Sequence, residues 1–219
     1  MALKLLTVLA AAAAVMSGLA EAQSKRSTTL DLRDFDAIEI SGAYELDVIV
    51  GEDFSIALSG PPEEMARVEA TLKNRALVLG AKKRVRGEHR GEHRDNHKGV
   101  SAIVTMPALD RISVSGVADA DISGVKAGEF KLDLSGVGEV NIAGACEKLV
   151  VRVSGVGEVD AQSFQCKAVD VKVAGIGEAR VYASESVAAE VSGMGGIAVY
   201  GSPRLVDKRG NFFSEIKVH

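Results

Sequence analysis

The sequence predicts an all-β fold, a parallel β-helix (solenoid) with coils of about 19–20 residues, G-x-G turns and one short flanking helix. Two observations carry that prediction. A five-residue turn recurs as Ser135-Gly136-Val137-Gly138-Glu139, Ser154-Gly155-Val156-Gly157-Glu158 and Ala174-Gly175-Ile176-Gly177-Glu178, with frayed copies at Ser115-Gly116-Val117-Ala118-Asp119 and Ser192-Gly193-Met194-Gly195-Gly196. Its leading glycines are spaced by 20, 19, 20 and 18 residues. Both flanks of each turn also alternate with period two. Ile112 and Val114, Leu132 and Leu134, Val151 and Val153, Val171 and Val173, and Ala189 and Val191 bracket Ser113, Asp133, Arg152, Lys172 and Glu190. After the glycine, Ala120 and Ile122, Val140 and Ile142, Val159 and Ala161, Ala179 and Val181, and Ile197 and Val199 bracket Asp121, Asn141, Asp160, Arg180 and Ala198. Such alternation denotes strands with one buried face, and no repeat window shows the 3.6-residue period of a helix. Each copy is too short to bury its apolar face alone, so equivalent strands stack in parallel about 4.8 Å apart.

The elements follow in order. Residues 1–22 read as a secretory signal peptide: Lys4, an apolar run from Leu5 to Met16, and the small-x-small pattern Ala20-Glu21-Ala22. Residues 23–34 form an N-terminal lead, and 35–210 a single solenoid domain with its regular repeats in 112–200. Another copy lies around Gly42, where Ile38 and Ile40 flank Glu39, Leu46 and Val48 flank Asp47, and Glu45 holds the slot of Asp119 and Glu139. Phe54 to Leu58 continues as strand. Pro61-Pro62-Glu63-Glu64 starts the short helix, with Met65, Val68 and Leu72 at helical spacing. Ala76 to Leu79 and Val100 to Met106 read as strands separated by a polar His-rich loop, 82–99. Pro203, Lys208 and Arg209 end the pattern and shield the open edge, which leaves 211–219 as a cap or tail.

Composition limits what the protein does. The formal net charge is −4, aromatic residues make up 4%, and Trp is absent. An acidic exported chain is a poor nucleic-acid binder, and few flat rings are present to stack on sugars. No apolar run in the mature chain approaches the roughly 20 residues of a membrane helix. The expected location is therefore the periplasm or the bacterial cell surface.

The turn glycines Gly42, Gly116, Gly136, Gly155, Gly175 and Gly193 permit corners that a side chain resists, and Val117, Val137, Val156, Ile176 and Met194 are expected to plug those corners from inside. Stacking brings Asp119, Glu139, Glu158 and Glu178 within roughly 5 Å of one another. Such a column either takes up Ca²⁺ or a cationic partner, or splays into water where screening weakens the repulsion. His89, His93 and His97 recur every four residues, a spacing that on a helix suits Zn²⁺, Ni²⁺ or Cu²⁺; Gly87, Gly91 and the dense charge argue for a hydrated loop. That loop has seven Lys or Arg against three acidic residues and forms a basic arm on an acidic body. Cys146 and Cys166 each precede a turn glycine by nine residues, which puts them in one slot of adjacent coils, either as a disulfide or as two stacked buried thiols.

The repeated S-G-V-G-E turns, Phe35-Asp36-Ala37-Ile38 with Ser41-Gly42, Met106-Pro107-Ala108-Leu109 and Val199-Tyr200-Gly201-Ser202-Pro203 together resemble the bacterial auto-transporter adhesin head GIN domain family, over about residues 35–210. The resemblance implies a two-sheet β-helix of the pectin-lyase type without its catalytic residues, and a role in adhesion. The sequence carries no run of ten-residue alternating strands for an outer-membrane barrel, so adhesion would require a separate anchor. Two functions are open: a non-catalytic cell-envelope scaffold for an envelope protein or glycan, or a protein that binds or degrades acidic polysaccharide, with Arg152, Lys172 and Arg180 beside the carboxylate column. No catalytic residue or resident cofactor is expected, because every candidate is accounted for by its repeat slot and the turn serines have no histidine nearby.

Overall fold

The computed structural model describes residues 26–82, 99–212 and 214–219. The signal segment and His89, His93 and His97 lie outside them. The strands are β1 (Arg26–Leu30), β2 (Ala37–Ile40), β3 (Ala43–Val50), β4 (Ser55–Gly60), β5 (Val68–Lys73), β6 (Ala76–Ala81), β7 (Val100–Met106), β8 (Arg111–Val114), β9 (Val117–Leu134), β10 (Val137–Val153), β11 (Val156–Val173), β12 (Ile176–Val191), β13 (Met194–Tyr200), β14 (Leu205–Gly210) and β15 (Ser214–Val218). One helical turn, α1 (Pro62–Met65), lies between β4 and β5.

β9 to β12 each run from one turn glycine nearly to the next, and register shifts such as that between Ile142 and Gly144 bend them midway. Each long strand thus contributes its first half to one sheet and its second half to another. The first sheet holds the residues before each turn, in the order β5, β6, β2, β8, then the second halves of β9 to β12, then β14. The second sheet runs β1, β4, β7, β3, the first halves of β9 to β12, β13 and β15. Pairing is parallel throughout the repeats and antiparallel only where β1, β4 and β5 close the N-terminal end.

The core lies between the sheets. The four apolar columns that the alternation predicts stack in register and are at most 3% exposed in the repeats. Phe130 and Phe164 meet edge to face at 5.4 Å inside the bend. At the N-terminal end Tyr44 fills the slot that glycine holds in later coils; burial pushes its phenol up to about 12, and its hydroxyl donates to the Gly80 carbonyl at 2.6 Å. The structure joins Cys146 and Cys166 by a disulfide, with Cα atoms 4.5 Å apart on paired strands.

Backbone proximity at the corner explains the glycines. A Cβ on Gly155 would sit 1.9 Å from the Gly136 carbonyl oxygen, and Gly157 has φ +159°, with a Cβ site 1.9 Å from the Gly138 oxygen. The corner amides are satisfied by the coil before: Val156 N–H donates to Gly136 O and Ile176 N–H to Gly155 O, both at 3.0 Å.

Two boundaries differ from expectation. The helix stops at Met65, and Val68 and Leu72 belong to β5, because pairing with β6 satisfies the backbone there better than a marginal helix can. The solenoid also continues beyond residue 210: β14 pairs in parallel with β12, and β15 with β13, so Ser214–Val218 is strand. Lys208 takes the slot that Ala189 fills one coil earlier, and its ammonium group reaches the Ile216 carbonyl. A charge in a core column does not end pairing with the preceding coil; it discourages the addition of a further one.

Candidate functional site

Register turns the alternation into columns of side chains on the outside of each sheet. On the second sheet the first outward position holds Ala43, Val117, Val137, Val156, Ile176 and Met194 on successive strands. These residues do not plug the corner. Val117, Val137, Val156, Ile176 and Met194 are 54, 50, 47, 50 and 56% exposed. The physical reason is parity: counted from the turn glycine they stand at +1, in phase with Glu139 at +3 and Asn141 at +5, whereas the buried valines stand at +4 and +6. The corner interior is instead closed by backbone contact around the glycines.

The next outward column is Glu45, Asp119, Glu139, Glu158 and Glu178, and the one beyond is Asp47, Asp121, Asn141, Asp160 and Arg180. The carboxylates expected to align do so, joined by Glu45 and by a second acidic column. Arg180 is the cation of this region, contacting Glu158, Glu178 at 3.4 Å and Asp160 at 3.6 Å. Toward the N-terminal end, Asn141 donates to Asp121 Oδ1 and Glu139 Oε1, both at 3.1 Å. Among the described residues no Lys or Arg pairs with Glu45, Asp47, Asp119, Asp121 or Glu139. An open groove of about 600 Å³ follows the second acidic column, between Asp47, Asp121, Asp160, Asn141 and Gln162. No three His, Cys, Asp or Glu side chains among the described residues are placed to hold a metal ion. The distance between rungs keeps each carboxylate beside its neighbours without converging them on one point.

The outside of the first sheet is different. Arg152 grips Asp170 with two bonds, at 3.1 and 2.8 Å, which holds Asp170 below the ordinary carboxylate range and raises Arg152. Lys172 pairs with Glu190 at 2.6 Å and Arg111 with Glu39 at 3.1 Å. Hydrogen bonds from Lys131 and Lys148 lower Glu129. Arg152 and Lys172 therefore stand on this sheet, away from the carboxylate column they were expected to flank; only Arg180 is beside it. Two of the turn serines are also committed, since Ser115 Oγ donates to Ile40 O at 3.1 Å and Ser135 Oγ to Val114 O at 3.3 Å.

A two-sheet stack of coils whose charged and exposed apolar residues spread along open faces falls in the class of β-solenoid domains. The chain belongs to the family described as "Putative auto-transporter adhesin, head GIN domain", whose model matches residues 34–203. Among solved structures it is similar to a putative adhesin from Bacteroides fragilis, with TM-score 0.70, 22% identity, 90% of this chain and 98% of that one covered. A putative adhesin from Parabacteroides distasonis is also similar, with TM-score 0.45, 17% identity and coverage of 90% and 98%. No curated protein matches the sequence. Among the described residues no helix is long and apolar enough to cross a membrane.

Proposed function

We propose that this protein is a non-catalytic, exported cell-envelope module that uses the outward face of its second sheet as a rigid, adhesin-like contact surface for an envelope protein or glycan. One observation supports the reading above others: the second sheet sets a column of half-exposed apolar residues beside carboxylates of which Asp119 and Glu139 have no Lys or Arg partner among the described residues, while the first sheet pairs Arg152 with Asp170, Lys172 with Glu190 and Arg111 with Glu39. Contiguous exposed apolar surface marks interaction sites. The names of the family and of its structural relatives accord with this reading. The carboxylates argue against acidic glycans as the ligand, because like charge repels them.

The test is capture from envelope extract on immobilised protein, with and without Ca²⁺. Wild type should retain a partner that Val137→Ser with Val156→Ser, or Asp119→Asn with Glu139→Gln, fails to retain, whereas Asp133→Asn on the first sheet should retain it. Equal retention by all of these proteins contradicts the assignment of the face. Retention only with Ca²⁺ would add a bridging role for that ion.

A further inference from the structure

The column geometry specifies the partner more narrowly. We propose that the second sheet's outer face docks a cationic amphipathic α-helix lying along the solenoid axis, with one apolar residue per turn against Val117, Val137, Val156, Ile176 and Met194 and an adjacent Lys or Arg stripe over Asp119 and Glu139. The inference rests on reading this face as an interaction surface and adds the identity of what it takes.

Spacing favours a helix. Successive rungs are about 4.8 Å apart, and one helical turn rises 5.4 Å, so helix and ladder stay within about half a rung of each other over four steps. An extended strand laid along the axis would present side chains on one face every 6.6 to 6.8 Å and fall out of step almost at once. Laid across the axis, it would meet one apolar rung only. Along each solenoid strand the carboxylate follows the apolar residue by two positions, about 6.6 Å. A helix about 10 Å wide covers both columns together. The span from Val117 to Met194 is four rungs, about 19 Å, or about 13 helical residues.

Charge decides the sign of the stripe. Asp119 and Glu139 have no Lys or Arg partner among the described residues, so a cationic side chain there gains attraction without first breaking an ion pair. The same carboxylates repel anionic lipid headgroups, and the column has no aromatic ring on which a sugar would stack. A helical protein segment satisfies the apolar and acidic columns at once.

The probe is a fluorescein-labelled synthetic peptide of about 18 residues, helical, with Leu once per turn and Lys on the neighbouring stripe, followed by anisotropy against the whole protein. Saturable binding is expected. It should weaken about tenfold or more with Val137→Ser plus Val156→Ser, and by a similar factor with Asp119→Asn plus Glu139→Gln, the latter with a shallower salt dependence. Asp133→Asn should bind as wild type. A peptide of identical composition with its stripe scrambled leaves the protein untouched and should lose binding, so a folding defect in a variant does not decide the matter. Absence of saturable binding, equal binding of the scrambled peptide, or unchanged affinity in both face variants overturns the proposal. If the peptide fails while the valine variants still lose material from envelope extract, the helix is wrong and the contact face stands; if the variants change neither, both fall.

Discussion

The two sheets of this solenoid come from the same repeat, stack on the same core and differ in what they do with charge. Before each turn the outward face carries both signs close enough across coils to pair, so Arg152 finds Asp170 diagonally and Lys172 finds Glu190 directly on the next strand. After each turn the outward slots repeat in sign, so Asp119, Glu139, Glu158 and Glu178 face like neighbours with Val117, Val137, Val156 and Ile176 beside them. Parallel in-register stacking amplifies whatever a repeat encodes: mixed signs on one face yield ion pairs across coils, and a repeated sign on the other yields a column of like charges.

The largest effects should arise where both sheets depend on a shared corner. Gly155→Ala puts a methyl group 1.9 Å from the Gly136 oxygen, so the coils must part; a loss of more than about 4 kcal/mol, or failure to fold, is expected in thermal unfolding. Gly128→Ala, where a Cβ meets nothing within 4 Å, is the control and should be near neutral. Next comes the core: Val153→Asp, at 1% exposure, should cost several kcal/mol by burying an unpaired carboxylate, and Arg152→Ala about 1 or less. Comparable losses would mean that the outward and inward faces had been exchanged.

The disulfide comes third. Replacing Cys146 and Cys166 together by Ala releases a constraint spanning 20 residues and should cost roughly 3 kcal/mol, read from denaturant midpoints in oxidising buffer. Fourth is the pairing on the first sheet. Asp170 has a depressed folded pKa, so its contribution is present above the unfolded carboxylate pKa and lost as pH falls through the folded value. The stability difference between wild type and Asp170→Asn, expected to be about 1 kcal/mol or less, should therefore be visible at neutral pH and vanish in acid. A difference that persists at acid pH would show that the side chain acts through packing.

Much of this architecture was legible because repetition multiplies each weak signal. The glycine spacing placed every long strand, and counting back from the glycines put Cys146 and Cys166 on one rung. Sequence and structure part where the repeat has no second copy. Val68 and Leu72 fit a helical spacing by chance in a segment that occurs once, and the last coil was hidden because Lys208 occupies a core slot. The face itself was half legible. The carboxylate column is apparent in the sequence, but the apolar character of Val137 and its equivalents points inward while their parity with Glu139 places them outside. Pairing of Arg152 with Asp170 is not legible, since the two occupy different slots and meet diagonally, and counting from the glycines sets Arg152 opposite Lys172 instead.

The asymmetry between the sheets is tested most directly by the salt dependence of stability in two variants, measured from about 0.01 M to about 1 M salt, across which the screening length falls from about 30 to 3 Å. Asp119→Asn with Glu139→Gln removes like-charge repulsion and should raise the melting temperature by a degree or two at low salt, the gain disappearing at high salt. Arg152→Ala removes an attraction and should lower it at low salt, the loss shrinking as salt rises. Opposite signs that converge at high salt are the predicted result; a destabilised Asp119→Asn and Glu139→Gln variant at low salt would show that the second sheet's carboxylates are satisfied within the protein and would contradict the account.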